Sequence, residues 1–464
     1  MPIFTSRCLY PALKAFSCMA ALFYFSWGTA NAQEYQLLRY DENYSDLRDS
    51  ARTFYNRLKY SQLSTTSYLS VGGEVRYEFA GKTNEDWLPD RGFNGSLLQR
   101  YSIYTDFHLG QWLRIFGQLN SGLENGSKYE VPPVDEDHLA VQNLFADVKV
   151  WRGNEKNFTI RLGRQELNYG SGRLISVREG TNVRLYFTGA KVMYNSPRFA
   201  IDGFVMMTDK VNPGVFDNQL SRQANLWGTY AYLIIPRGGN FDFYYLGIRR
   251  DNAVFNEGIA REIRHTVATR YWKYGGGFIY NLEAAYQFGT FGTGNINAWT
   301  AAIELGYRFD DSKFKPTINI RNDYVSGDKK NGDGHLQTFN PLFPRSGYFG
   351  FNPLIGPANL IDLHPYGTVN ITEKLVFQAD VVFNWRYSLE DGLYLPSGTY
   401  KLSGLGSQER YIGTTYLASA DLEISRSLSM SVGAQYFQIG KFIRERVEPA
   451  VSSTFFNYEI TFKF

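Results

Sequence analysis

The chain has 464 residues, 48 Lys+Arg against 45 Asp+Glu, and two cysteines, Cys8 and Cys18. So balanced a charge steers no polyanion and implies no nucleic-acid partner, and cysteines confined to the N-terminus exclude a disulfide framework or a thiolate metal site from the rest. Aromatics make up 17% of the chain and glycine 44 residues, yet mean hydropathy is negative and no later apolar run approaches the roughly 20 residues of a spanning helix.

Residues 1–32 read as a secretory leader. Arg7 and Lys14 supply its positive region, Phe16 to Gly28 its apolar core, and Ala30-Asn31-Ala32 its cleavage signature. A lipoprotein reading at Cys18 would require a cut inside the apolar core after Ala15-Phe16-Ser17, a poor match. Without the leader the chain is close to neutral. Residues 33–66 are expected to be a periplasmic segment leading into one all-β unit, 67–464, because no linker or low-complexity tract follows.

Candidate strands lie at about 67–79, 98–109, 111–122, 138–151, 156–163, 183–195, 198–208, 222–235 and 239–250. They continue at 261–274, 276–290, 295–309, 313–326, 360–371, 373–386, 410–425, 427–439 and 454–463, eighteen in all with sixteen as the alternative. Short turns, such as Gly110, 195–198 and Arg426, alternate with long polar loops in every other gap, including 80–97, 164–182, 327–359 and 387–409. That alternation predicts a transmembrane antiparallel β-barrel with short periplasmic turns and long extracellular loops.

Parity agrees. Asp380, Asn384 and Arg386 share one face and Val381, Phe383 and Trp385 the other, while Glu74, Arg76 and Glu78 oppose Val75, Tyr77 and Phe79. In 455–464 the apolar set is Phe456, Tyr458, Ile460, Phe462 and Phe464, which makes this segment the expected closing strand. Trp112, Trp151, Trp227, Trp272 and Tyr458 are expected in interfacial girdles. Arg184 and Lys191 fall out of phase near Gly189, where a glycine bulge is expected.

A barrel of 16 to 18 strands leaves an aqueous channel, so passage of a hydrophilic solute is the default function. The 164–182 connection and its flanks concentrate Arg161, Arg164, Arg173, Arg178 and Arg184 beside Glu166 and Glu179. Guanidinium forks match carboxylates and phosphates, and a ring of arginines makes a pore prefer anions; the alternative is that these cations only balance lumen acids. Arg76, Arg100, Arg321, Asp323 and Arg386 are further lumen-facing candidates. Asp328, Asn331 and Asp333 form a weak cation candidate that lacks the closing Glu of a calcium loop. The five histidines form no Ser-His arrangement, so no enzyme and no cofactor is expected. An adhesin or anchoring barrel would carry an appended domain.

The blocks LLRYDENYSDLRD (37–49), RLGRQELNYGSGRLISVREGTNVRLYFTGAKV (161–192), SGDKKNGDGHLQTFNPLFPRSGYFG (326–350) and QIGKFIRE (438–445) resemble the alginate export porins of bacterial outer membranes. The resemblance covers nearly the whole mature chain. It implies a monomeric 18-stranded barrel in a Gram-negative outer membrane, narrowed by an inward loop lined with arginines, passing an anionic uronate polysaccharide. Arg161, Arg164, Glu166, Arg173 and Arg178 would then belong to the constriction. Implied partners are outer-membrane lipid and lipopolysaccharide, a periplasmic polysaccharide-delivery protein, and the barrel-assembly machinery, which would read the Phe464 signature. A general porin for hydrophilic solutes or an uptake channel for small anions is the alternative.

Overall fold

The computed structural model describes residues 35–50, 53–236, 238–345, 347 and 350–464, so the leader expected at 1–32 lies outside the described residues. No helix among these residues is long and apolar enough to cross a membrane, which says nothing of strands.

Strands β1 (Tyr68–Thr83), β2 (Phe93–Leu109), β3 (Leu113–Asn125), β4 (Asp137–Gly153), β5 (Lys156–Gln165) and β6 (Phe187–Asn195) come first. Then follow β7 (Phe199–Lys210), β8 (Gln219–Ile235), β9 (Gly239–Phe255), β10 (Gly258–Lys273), β11 (Phe278–Phe291) and β12 (Gly294–Arg308). The last six are β13 (Thr317–Val325), β14 (Leu360–Asn370), β15 (Leu375–Arg386), β16 (Tyr411–Ser425), β17 (Leu428–Ile439) and β18 (Ser453–Lys463). Each pairs antiparallel with the next, and β18 returns to β1 from Glu74↔Lys463 to Thr83↔Thr454, closing an eighteen-stranded barrel. Closure leaves no unpaired strand edge, the condition for crossing lipid.

Alternation decides which side faces out. In β12, Trp299, Ile303 and Leu305 are exposed while Ala298, Thr300, Ala302 and Glu304 are buried. In β18, Phe456 and Tyr458 are exposed while Asn457 donates to Glu78 inside at 2.9 Å. Past β18, Phe464 exchanges main-chain hydrogen bonds with Gly73 at 2.9 and 3.1 Å. A Cβ on Gly73 would lie 2.5 Å from the Phe464 ring, so glycine is what lets that ring cross the seam.

Three expectations need correction. The register runs unbroken through Gly163↔Gly189 and Gly189↔Met206, so no bulge sits there. Arg184 precedes β6, and the phase break is simply the loop-to-strand boundary; Gly189 is needed because a Cβ would meet the Val205 carbonyl oxygen at 2.1 Å. Trp272 shares parity with Arg270 and donates to Asp242 at 3.0 Å, placing it in the lumen rather than in a girdle. Finally, long loops do not fill every other gap: the 256–257 and 292–293 connections are two-residue turns, followed by Gly258 and begun by Gly292, both at positive φ.

The other long connections turn inward. Segments 166–186 and 326–359 meet inside the barrel, where the Ser176 amide donates to the Phe343 carbonyl and the Phe343 amide to the Leu174 carbonyl, both at 2.9 Å. Leu167, Leu174, Ile175, Phe339, Leu342 and Ile355 pack on the wall side chains Phe204, Met206, Leu226, Leu246 and Ile248. This apolar layer gives the inward loops a fixed seat, since each buried aliphatic side chain contributes about 1.5–3 kcal/mol. Residues 35–50 and 53–62 enter the opposite, short-turn mouth and include helix α1 (Phe54–Lys59).

Candidate functional site

The arginine-rich connection becomes the loop 166–186 between β5 and β6. Its side chains and those of the wall form a network in which most cations are already matched. Arg161 grips Asp147 of β4 with two parallel bonds, 2.7 and 2.8 Å, and lies 3.8 Å from the Phe145 ring centre. Arg164 donates to Asp209 and, at 2.8 Å, to the Val141 carbonyl. Arg184 bridges fully buried Glu166 at 3.0 Å and Glu179 at 2.9 Å. Arg173 spans to Asp323 at 3.1 Å and Glu283 at 3.5 Å.

From the wall, Arg100 reaches Glu74 at 2.9 Å and Glu179 at 2.7 Å, while Arg76 donates to the Glu179 carbonyl at 3.1 Å and lies 3.6 Å from Glu459. Arg321 meets Glu304 at 3.1 Å. Arg386, fully buried, makes no ion pair among the described residues: it donates to the carbonyls of Leu389, Asp391, Gly404, Ser407 and Glu409, and so organises the 387–410 loop. Asp323 is fully buried, and its amide donates to Asp362 at 3.1 Å.

Arg178 stands apart. It is half-buried, adopts the left-handed backbone (φ 56°), and its guanidinium has no ion-pair or hydrogen-bond partner among the described residues. A left-handed conformation in a non-glycine residue is a strained one that persists only where its surroundings hold it; here the carbonyls of Glu179 and Thr181, just beyond it, are gripped by Arg76 and Arg100. Burial alone pushes Arg178 down to about 10, leaving it cationic at neutral pH.

Beneath the loops, towards the short-turn mouth, lies a cavity of about 450 Å³. A hydrogen-bonded belt forms its wall: Arg270 to Asn281 at 2.7 Å, Asn281 to Glu304 at 2.9 Å, Arg321 to Glu304, and His364 to Asp380 at 2.8 Å. Arg345 adds an exposed guanidinium from the inward loop. Fixed donors and acceptors beside Tyr274, Tyr366 and Phe351 suit a polar ring compound more than an apolar one.

The cation candidate does not assemble. The Asp328 amide donates to Asp391, Asn331 donates to the Asn256 carbonyl and Asp333 accepts from the His335 amide, three separate contacts. Among the described residues no group of three acids, histidines or cysteines is placed to hold a metal. Sequence reasoning missed a row of lumen tyrosines that donate to acids of the wall: Tyr169 of the inward loop to Asp202, and the strand residues Tyr230 to Asp242, Tyr244 to Glu283 and Tyr366 to Glu304. Their parity with neighbouring acids was the available signal.

A family model described as "Alginate export" matches residues 67–457. No curated protein sequence matches the chain. Among solved structures, the chain is similar to OccAB4 of Acinetobacter baumannii (TM-score 0.59, 9% identity, covering 87% of this chain and 99% of that one). It is also similar to OccK3 (OpdO) of Pseudomonas aeruginosa (TM-score 0.54, 11% identity, 85% and 95%). A third is OccK2 (OpdF) of Pseudomonas aeruginosa in complex with glucuronate (TM-score 0.54, 10% identity, 85% and 96%). At these identities the likeness is one of fold.

Proposed function

The chain belongs to the alginate export family, and we propose that it is a monomeric channel of a Gram-negative outer membrane that passes carboxylated saccharides passively, with Arg178 as the selecting charge of its constriction. The observation that carries this reading is the contrast between Arg178 and its neighbours. Arg161, Arg164, Arg173 and Arg184 spend their charge on acids, so they hold the loop in place; Arg178 keeps a cation without an internal partner. A fixed positive charge in a narrow lumen attracts carboxylates and repels cations. The glucuronate bound by the structurally similar OccK2 supports the same class of solute.

One observation favours small solutes over a polymer. The inward loops fill much of the lumen, and the 450 Å³ cavity has the volume of a small-molecule site. In this second reading the channel takes single carboxylated sugars or other small anions.

Reversal potentials across a planar bilayer test the proposal. Arg178→Ser is expected to lower anion preference severalfold, whereas Arg164→Ser, which leaves buried Asp209 unmatched, should disturb stability more than selectivity. Equal selectivity in Arg178→Ser and the parent would remove the role given to Arg178. Block by oligouronates but not by monomers favours the polymer; block by both favours the small-solute reading.

A further inference from the structure

Part of the short-turn mouth is occupied by the segment that precedes β1, whose Tyr35 reaches the Lys463 carbonyl at 3.2 Å. Tyr40 sets its ring edge-on against the stacked pair Phe116 and Phe145 of the wall, with centres 5.9 and 5.2 Å away, and lies 4.3 Å from the Arg161 guanidinium. Glu42 and Tyr44 are buried behind it. The segment makes only a two-residue strand contact with β1, at Ser61 and Gln62, so side chains rather than a ladder hold it.

One of its fastenings to the barrel is Lys59. This side chain is fully buried, donates to the Tyr104 hydroxyl and to the main-chain oxygen of Phe464, both at 2.9 Å, and lies 4.7 Å from the Tyr44 ring centre and 5.1 Å from that of Tyr104. The wall is shaped to receive it, because a Cβ on Gly72 would lie 2.4 Å from both Lys59 Nζ and the Tyr104 ring.

The segment also touches both ends of the constricting loop. Tyr40 donates to the Glu166 carbonyl at 2.6 Å, and Arg184 donates to the Leu37 carbonyl at 2.8 Å. Arg39 pairs with Glu74, whose other oxygen holds Arg100, and Arg100 in turn holds Glu179 beside Arg178. The 450 Å³ cavity lies across the mouth, lined by side chains from β10 to β16 and by the inward loops, with none from this segment.

We propose that residues 35–50 and 53–60 are an internal plug, latched by Lys59, which confines passage at the short-turn mouth to the β10–β16 side and steadies the constricting loop. The idea rests on the chain being a channel and adds a gate to it. Elements outside the strand ladder open at lower free energy than the barrel that carries them, and this segment shares only two ladder positions with β1, so the plug can leave while the strands stay paired.

The test uses the full chain carrying Leu47→Cys, a buried reporter in a sequence with no other cysteine after residue 18. Two separate variants are added to it: Lys59→Glu, and Gly72→Val in the wall, so that the result does not depend on one substitution folding. Thiol labelling by a bulky water-soluble maleimide reports release, and single-channel conductance reports obstruction. The expected result is no labelling in the parent, labelling in both variants, and a conductance rise of roughly twofold as the occupied side of the mouth opens. Labelling with unchanged conductance removes the plug, and continued protection in both variants removes Lys59 as its latch. A parent that conducts nothing removes the proposed channel itself.

Discussion

At the scale of single residues, the inward direction of Arg76, Arg100, Arg321 and Arg386 can be read from two-residue alternation, but their partners cannot. Arg386 takes five carbonyls from a loop whose path no periodicity describes, and Arg173 reaches acids on β11 and β13, more than a hundred residues away in sequence. A run of arginines therefore looks like a free cationic ring until the acids are placed, after which Arg178 is left. Lys59 carries a prediction at this scale. It faces Tyr35, Tyr44, Tyr55, Glu42 and Arg39 of its own segment and Tyr104 of the wall; burial pushes its amine down to about 8, partly opposed by Glu42. The released segment regains the ordinary value of 10.5 and binds the proton more tightly, so docking strengthens as pH rises from about 8 to 10.5. Open excursions of the channel should thus be rarer at pH 9.5 than at pH 7.5, about tenfold or more by linkage, and Lys59→Met should abolish the dependence. A single-channel record with more openings at the higher pH would contradict the assignment.

At the scale of elements, the strands were legible because each repeats one rule many times. β12 alternates inside and outside through most of its length, and a reading that misplaces one end still recovers the strand. The loops obey no such rule. Leu174, Ile175 and Phe339 look like ordinary apolar residues in polar connections, and only the folded barrel shows that they pack against Phe204, Met206 and Leu246. Their burial predicts that Leu174→Ala weakens the seat of the inward loops by about 2–5 kcal/mol while leaving the strand ladder intact. Hydrogen exchange should show faster exchange of the Ser176 and Phe343 amides with unchanged protection in β1 and β18; loss of protection in the strands as well would mean that the loops and wall form one cooperative unit.

At the scale of the whole molecule, eighteen strands and closure of β18 on β1 follow from the count of alternating segments, because lipid tolerates no open sheet edge. What the count did not disclose is how little of the interior is open. Loops enter it from one end and residues 35–50 and 53–62 from the other, and a cavity of about 450 Å³ remains along the β10–β16 side. The most direct test is the zero-current potential of the purified full chain in a planar bilayer under a potassium chloride gradient, followed by titration with uronates. An anion-preferring conductance that uronates block is the expected result. A cation-preferring conductance indifferent to uronates would contradict it.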